Sequence, residues 1–252
     1  MKVRAVDGDA GREWHSTGTR GRGLVCVSGL NGAAGEWTGV GPALARYGDV
    51  GAVELTLRAA SGAHGRGGPL QAGAQALDRV LASPPERSVL IGHSMGAVVS
   101  MLKAATEPDR LAGLVLTAPF LPVARHGRST LTTVADYAHH RVRLVAATRD
   151  RRRFERRTVD RRTRAKGLLA LARYGVRPAA FHAMADRVSC PVLLVHGGED
   201  HYVPATFALA AAARHPAWQL DLLTGVGHFP HRDNPAAWLS AVEPWLQRLQ
   251  PP

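Results

Sequence analysis

Val89-Leu90-Ile91-Gly92-His93-Ser94-Met95-Gly96-Ala97-Val98-Val99-Ser100 is an apolar run that breaks at a serine between two glycines and resumes as helix-compatible sequence. That order reads as strand, sharp turn, helix. A turn this tight holds its serine at a strained backbone position, so Gly92 and Gly96, with small Ala97 beside them, stand where a side chain would obstruct the close approach of strand and helix. The Ser94 hydroxyl then projects into a cleft. The Met95 amide and the helix N-terminus face any negative charge that develops there. In a chain of 252 residues with 27 glycines the spacing also arises by chance, and the flanking sequence decides its weight.

Outward from this stretch, strands and helices alternate. Residues 23–28 form a nearly all-apolar strand, as a central position with helices on both sheet faces requires. Residues 36–47 are helical in parts, 50–57 read as a strand, and 70–81 repeat apolar residues at helical spacing before Pro84-Pro85. Residues 97–105 form a buried helix and 111–117 another strand. Further out, 4–6 and 14–16 are weak strands expected to pair as a hairpin at one sheet edge. Alternation stops from Phe120 to about Arg187, where helix-compatible pieces follow one another and Pro178 breaks the pattern. It returns with strand 192–195, helix 205–214, strand 218–223, loop 224–234 and helix 235–249. A largely parallel α/β sheet follows, with a helical insertion over one end. The division is a core of 1–119 and 188–252 with a cap at 120–187.

The size and the 45% hydrophobic content suit one large domain. No signal-peptide pattern opens the chain and no run of eighteen apolar residues occurs, so a soluble, cytoplasmic protein without a membrane span is expected. Cys26 and Cys190 are expected as buried free thiols. Of the net charge of +12, residues 141–187 carry +11, fifteen basic residues against four acidic ones. Few aromatics interleave with this block and no nucleic-acid motif accompanies it, so no nucleic-acid partner is expected. It reads as a solvated helix face, or as an attractor for an anionic or carrier-bound substrate.

A serine hydroxyl needs a base within hydrogen-bonding reach, and that base needs an orienting acid. His228, in Gly225-Val226-Gly227-His228-Phe229-Pro230, follows the last predicted strand; Asp200, in Gly197-Gly198-Glu199-Asp200-His201-Tyr202, follows the strand before it. Both loops leave the carboxyl ends of parallel strands, the edge where open α/β sheets place their sites. Asp200 also suits a turn that caps the next helix. Glu199 competes as the acid and His231 as the base, while His93 is expected to point into the sheet as structural support. His139-His140, and His228 and His231 with Asp233, lack H-E-x-x-H or a third well-spaced ligand. No metal or cofactor is expected.

With Gly92-His93-Ser94-Met95-Gly96, Gly197-Gly198-Glu199-Asp200 with Pro204, and Gly227-His228-Phe229 in this order, the chain resembles the small, capped enzymes of the α/β-hydrolase fold from about Leu24 to Leu249. The resemblance implies Ser94 as nucleophile, His228 as general base and then acid, and Asp200 as the group that orients His228. It also implies an oxyanion hole of the Met95 amide and a second amide, matching Leu30. Ser28-Gly29 stands where the family often has His-Gly, which touches the geometry of that loop. Phe120, Tyr202 and Phe229, with Leu30 and Met95, are expected to line an apolar pocket for a small acyl substrate. The implied activity is hydrolysis of a carboxylic ester or related acyl bond. The same residues would serve a thioesterase on carrier- or coenzyme A-bound acyl chains, a non-hydrolytic enzyme (cyclisation, C–C cleavage, acyl transfer), or a ligand-binding module with an idle triad.

Overall fold

The computed structural model describes residues 12–15, 22–29, 32, 34–55, 69–81, 87–121 and 178–249. Among the described residues seven strands form one sheet in the order β1-β3-β2-β4-β5-β6-β7. They are β1 (Arg12–His15), β2 (Gly23–Val27), β3 (Asp49–Val53), β4 (Ser88–His93), β5 (Leu111–Thr117), β6 (Val192–Gly197) and β7 (Gln219–Leu223). β1 runs antiparallel to β3 at one edge. All other neighbours are parallel, with Val25 beside Leu90, Leu90 beside Leu114 and Leu114 beside Val192. Every position of β2, β4 and β6 is buried. The near-continuous apolar runs of these strands are what a sheet covered on both faces demands.

The two faces have separate cores because strand side chains alternate. Val25, Val27, Leu90, Leu114, Leu116 and Leu194 belong to one, together with Leu77 of α2 (Pro69–Leu81), Met101 of α3 (Met95–Thr106) and Phe207 of α5 (Ala205–Arg214). Leu24, Cys26, Val89, Ile91, Val115 and Val195 belong to the other, with Leu44 of α1 (Gly41–Leu44) and Trp238, Val242, Trp245 and Leu246 of α7 (Pro235–Arg248). The spacing 238, 242, 245, 246 is one stripe of a helix. α3 is buried on nearly all sides, and Lys103 is 2% exposed. Its ammonium reaches Asp78 of α2 and Glu107, so the stem packs in the core while the charge meets carboxylates at the rim. Cys26 and Cys190 are free and buried, and burial pushes both thiols up, Cys190 to about 11.

Several expectations change. β1 lies at a sheet edge, but its observed partner is β3; residues 4–6, its expected hairpin partner, lie outside the described residues. The strand expected over 50–57 ends at Val53. Pro178, where the sequence pattern breaks, is the first residue of α4 (Pro178–Ala185), a position where a missing N–H costs nothing because first-turn amides have no intrahelical acceptor. α4 packs on α3, with Phe181 fully buried. The rest of the expected cap, 122–177, lies outside the described residues. The expected loop 224–234 contains a one-turn helix, α6 (Pro230–Asp233), also opened by a proline.

A Cβ added to Gly92 would lie 2.5 Å from the Ala97 Cα, and one added to Gly96 would lie 2.3 Å and 2.5 Å from the Val27 and Ser28 carbonyl oxygens. These are backbone atoms of β2 and α3, which have no side-chain rotamer to yield. Gly96→Ala is therefore expected to destabilise the protein by about 1–3 kcal/mol or more, read as a lowered urea midpoint at unchanged m-value; an unchanged midpoint would show that the β2–α3 approach is not tight.

Candidate active site

Ser94 sits between β4 and α3 at φ 51 and ψ −113, a region that side-chain-bearing residues rarely enter. Three contacts hold it there. Its amide donates to the Thr117 carbonyl at the end of β5 (2.9 Å), its carbonyl accepts from the Val98 amide (3.3 Å), and Gly96 lies against β2. Thr117 is itself fixed, since its hydroxyl oxygen accepts from the Trp238 indole N–H of α7 (3.0 Å). The twist at Ser94 is thus set by strands on both sides of β4.

His228 arrives from the loop after β7 and is 8% exposed. Its Nε2 lies 3.1 Å from Ser94 Oγ, and its Nδ1 lies 2.7 Å from Asp200 Oδ2. The carbonyl of His228 accepts from His93 Nε2 (2.9 Å), so the residue before Ser94 pins the loop that carries the imidazole. His93 does more than support the sheet: its ring packs 5.0 Å from the His228 ring.

Asp200 divides its two oxygens between two tasks. Oδ1 accepts from the Tyr202 and Val203 amides (2.7 and 2.8 Å), the turn-capping use, and Oδ2 faces His228. His196 Nε2 donates to the Val203 carbonyl at 2.9 Å and lies 3.3 Å from Oδ2. Burial by itself would raise the Asp200 carboxyl. The charge of His228 and hydrogen bonds from His196 and His228 outweigh it and hold the group well below the usual carboxylate range. For His228 burial is the larger influence and lowers its pKa, although the charge of Asp200 and its hydrogen bond oppose that shift. The carboxylate is therefore ionised and the imidazole neutral at pH 7, with its Nε2 lone pair free to take a hydroxyl proton.

Met95 opens α3, so its amide has no carbonyl one turn earlier to bond, and it adjoins the Ser94 hydroxyl. Leu30, expected as the second oxyanion donor, lies outside the described residues. Just before it, the Gly29 amide donates to Glu36 Oε1 (3.3 Å) and Ser28 Oγ accepts from the Trp37 indole N–H (3.3 Å). Tyr202 flanks the His228 ring at 5.1 Å and Phe229 meets it edge-on at 5.1 Å, while the Arg232 guanidinium covers Phe229. Phe120 lies in the core against Phe207. Glu199 is exposed, and His231 is buried against Trp37 with ring centroids 4.3 Å apart; neither takes part in the Ser94–His228–Asp200 chain of contacts. Sequence reasoning missed Glu36 and His196. No motif marks Glu36, whereas His196, at the end of an apolar strand four residues before Asp200, carried a positional hint.

The alpha/beta hydrolase family model matches residues 24–242. A Mycoplasma pneumoniae protein named "Putative esterase/lipase 2" is 25% identical over 189 residues, covering 69% of this chain and 68% of that protein. A Klebsiella pneumoniae protein named "Putative carbamate hydrolase RutD" is 24% identical over 228 residues, covering 81% of this chain and 84% of the other. Among solved structures, the monoacylglycerol lipase of Paleococcus ferrophilus superposes with a TM-score of 0.68 at 20% identity, over 96% of this chain and all of that one, a likeness of fold. The matched span takes in every strand from β2 to β7 and both sheet faces, and the chain belongs to the alpha/beta hydrolase family.

Proposed function

We propose that this protein is a serine hydrolase that cleaves carboxylic esters or related acyl bonds through an acyl-Ser94 intermediate. The observation that carries this reading is the continuous chain of contacts from Ser94 Oγ through both nitrogens of His228 to Asp200 Oδ2, at 3.1 and 2.7 Å. Ser94 Oγ attacks the acyl carbon as His228 Nε2 takes its proton. The carbonyl oxygen becomes an oxyanion facing the Met95 amide and, in this reading, the Leu30 amide. Collapse breaks the bond to the leaving group, which receives the Nε2 proton. Water then attacks the acyl carbon and gives a proton to Nε2. The second tetrahedral intermediate releases the carboxylic acid and returns that proton to Ser94. Asp200 keeps its charge throughout, holds the Nδ1–H tautomer and stabilises the imidazolium.

Tyr202 and Phe229, each with its ring 5.1 Å from that of His228, give the acyl group apolar surface, in keeping with an ester rather than a free acid as the group bound beside the imidazole. The relatives named "Putative esterase/lipase 2" and "Putative carbamate hydrolase RutD" support a hydrolytic reading. The +11 carried by residues 141–187 favours acyl groups that are anionic or held on an acidic carrier. A panel of activated esters and thioesters, neutral and anionic, read by mass spectrometry for an acyl adduct, therefore tests the nucleophile and the acyl preference together.

A fluorophosphonate is expected to label Ser94 in the folded protein, and Ser94→Ala is expected to abolish labelling and lower kcat by about 10⁴-fold or more with little change in stability. A wild-type protein that stays unlabelled while binding an acyl ligand would point to an idle triad. Asp200→Asn is expected to lower kcat about 10⁴-fold, because the amide favours the wrong imidazole tautomer; a loss below tenfold would remove Asp200 from the mechanism. The base is active when neutral, and its folded pKa lies below the 6.5 of a free imidazole. Activity is thus expected to hold as pH falls to 6.5 and to decline only through the lowered value. An acid limb of kcat/KM with its half-point above pH 6.5 would contradict this.

A further inference from the structure

Behind the Ser94–His228 contact lies a second group of buried polar side chains with no place in the proposed mechanism. Glu36 lies in the 3₁₀ turn after β2 (Ala34–Trp37), His93 ends β4, and His231 lies in α6. Their side chains are 4%, 2% and 0% exposed. Glu36 Oε1 is 3.6 Å from His93 Nδ1 and 4.0 Å from His231 Nε2, and one ligand atom from each residue falls within 4.8 Å of the others. Glu36 Oε2, His93 Nδ1 and both ring nitrogens of His231 have no hydrogen-bond partner. These are four of the eight such buried side-chain atoms among the described residues. Buried polar atoms are ordinarily paired, so this concentration asks for an occupant.

The tautomer of His93 narrows what that occupant is. A backbone carbonyl only accepts, so the 2.9 Å contact to the His228 carbonyl places the His93 proton on Nε2. In the neutral ring the Nδ1 lone pair then faces the Glu36 carboxylate, an unfavourable pairing unless positive charge lies between them. A proton shared by these two atoms would span 3.6 Å, too long for a hydrogen bond, and would leave His231 unpaired. One divalent cation gives a partner to one atom of each of the three residues at once. Metal-ligating histidines commonly donate their second N–H to a backbone carbonyl, as His93 does. A tetrahedral Zn²⁺ with bonds of about 2.0–2.1 Å holds its ligands about 3.3 Å apart, so the two contacts to Glu36 need to close by less than about 1 Å and the His93–His231 pair by at most about 1.5 Å.

We infer that Glu36, His93 and His231 form a binding site for a divalent first-row transition metal such as Zn²⁺. The donor set is two imidazoles and one carboxylate, which suits Zn²⁺ and its neighbours and not Ca²⁺ or Mg²⁺. Glu36 also accepts from the Gly29 amide, close before Leu30 in sequence, and His231 lies in the first turn of the helix that follows His228. An ion here joins three segments otherwise distant in sequence: the loop after β2, the elbow and the histidine loop. Its role is structural, because all three ligands are buried behind the imidazole.

The test reads metal, not turnover, and so stands apart from the proposed hydrolysis. Purified protein is stripped with chelator, then titrated with Co²⁺ and with Zn²⁺. The expected result is one equivalent bound per chain, Co²⁺ absorption bands typical of tetrahedral nitrogen and oxygen ligation that Zn²⁺ abolishes, and a raised Tm. Glu36→Gln and His231→Gln are each expected to weaken Zn²⁺ binding more than about 100-fold, whereas His201→Gln, at an exposed position, leaves it unchanged. Wild-type protein that takes up no stoichiometric Co²⁺ or Zn²⁺ and shows no Tm shift overturns the site. So does binding undiminished in both variants, provided circular dichroism shows them folded. If neither variant folds, the Co²⁺ spectrum of the wild type decides between the two outcomes.

Discussion

The fold depends on how closely β2 passes the first turn of α3. The Val27 and Ser28 carbonyls lie where a Cβ on Gly96 would be, and the backbone of Ala97 lies where one on Gly92 would be. With strand and helix this close, the connecting residue has no room to relax, and Ser94 takes a positive φ. Backbone strain of this kind costs on the order of 1–3 kcal/mol and persists only where surrounding contacts over-determine it. Here those contacts are the Thr117 carbonyl on the Ser94 amide and two apolar cores packed on opposite sheet faces. The stability of the whole sheet is what keeps one serine hydroxyl in an otherwise disfavoured position.

The groups around Ser94 form a graded electrostatic arrangement. Asp200 remains charged in a buried place because two backbone amides and the neighbouring imidazoles hold its oxygens. His228 remains neutral because burial outweighs the attraction of that carboxylate. A charged carboxylate and a neutral imidazole thus share one hydrogen bond, which is the condition for the imidazole to accept a proton from the next group along. His93 adds a mechanical link: through its hydrogen bond to the His228 carbonyl, the strand that ends at Ser94 also positions the loop that approaches it. Serine and imidazole are thereby tied to the same strand end.

Much of this was legible because it is written locally. Strand β5 over Leu111–Thr117 and helix α5 over Ala205–Arg214 have the expected bounds, since an uninterrupted apolar run and a helical stripe announce themselves within a dozen residues. Ser94, His228 and Asp200 were legible for a related reason: each follows a strand, and a parallel sheet brings strand ends to one edge. Pro178 interrupts the helical pattern in the sequence and opens α4 in the structure, because proline is disfavoured in a helix interior yet suits a first turn. The contact of Phe120 with Phe207, a partner 87 residues away, had no local signal.

By itself the sequence determined the order of strands and helices, the sharp turn at Ser94 and the loops that bear Asp200 and His228, because periodicity, glycine spacing and position after a strand are short-range properties. Only the tertiary structure decided that Glu36, His93 and His231 converge, that His196 leans on Asp200, and that the two oxygens of Asp200 serve different partners. Those facts turn on distances of a few ångströms between residues as much as 195 positions apart. Such distances come from how the sheet twists and how its two cores pack, and no local pattern encodes them.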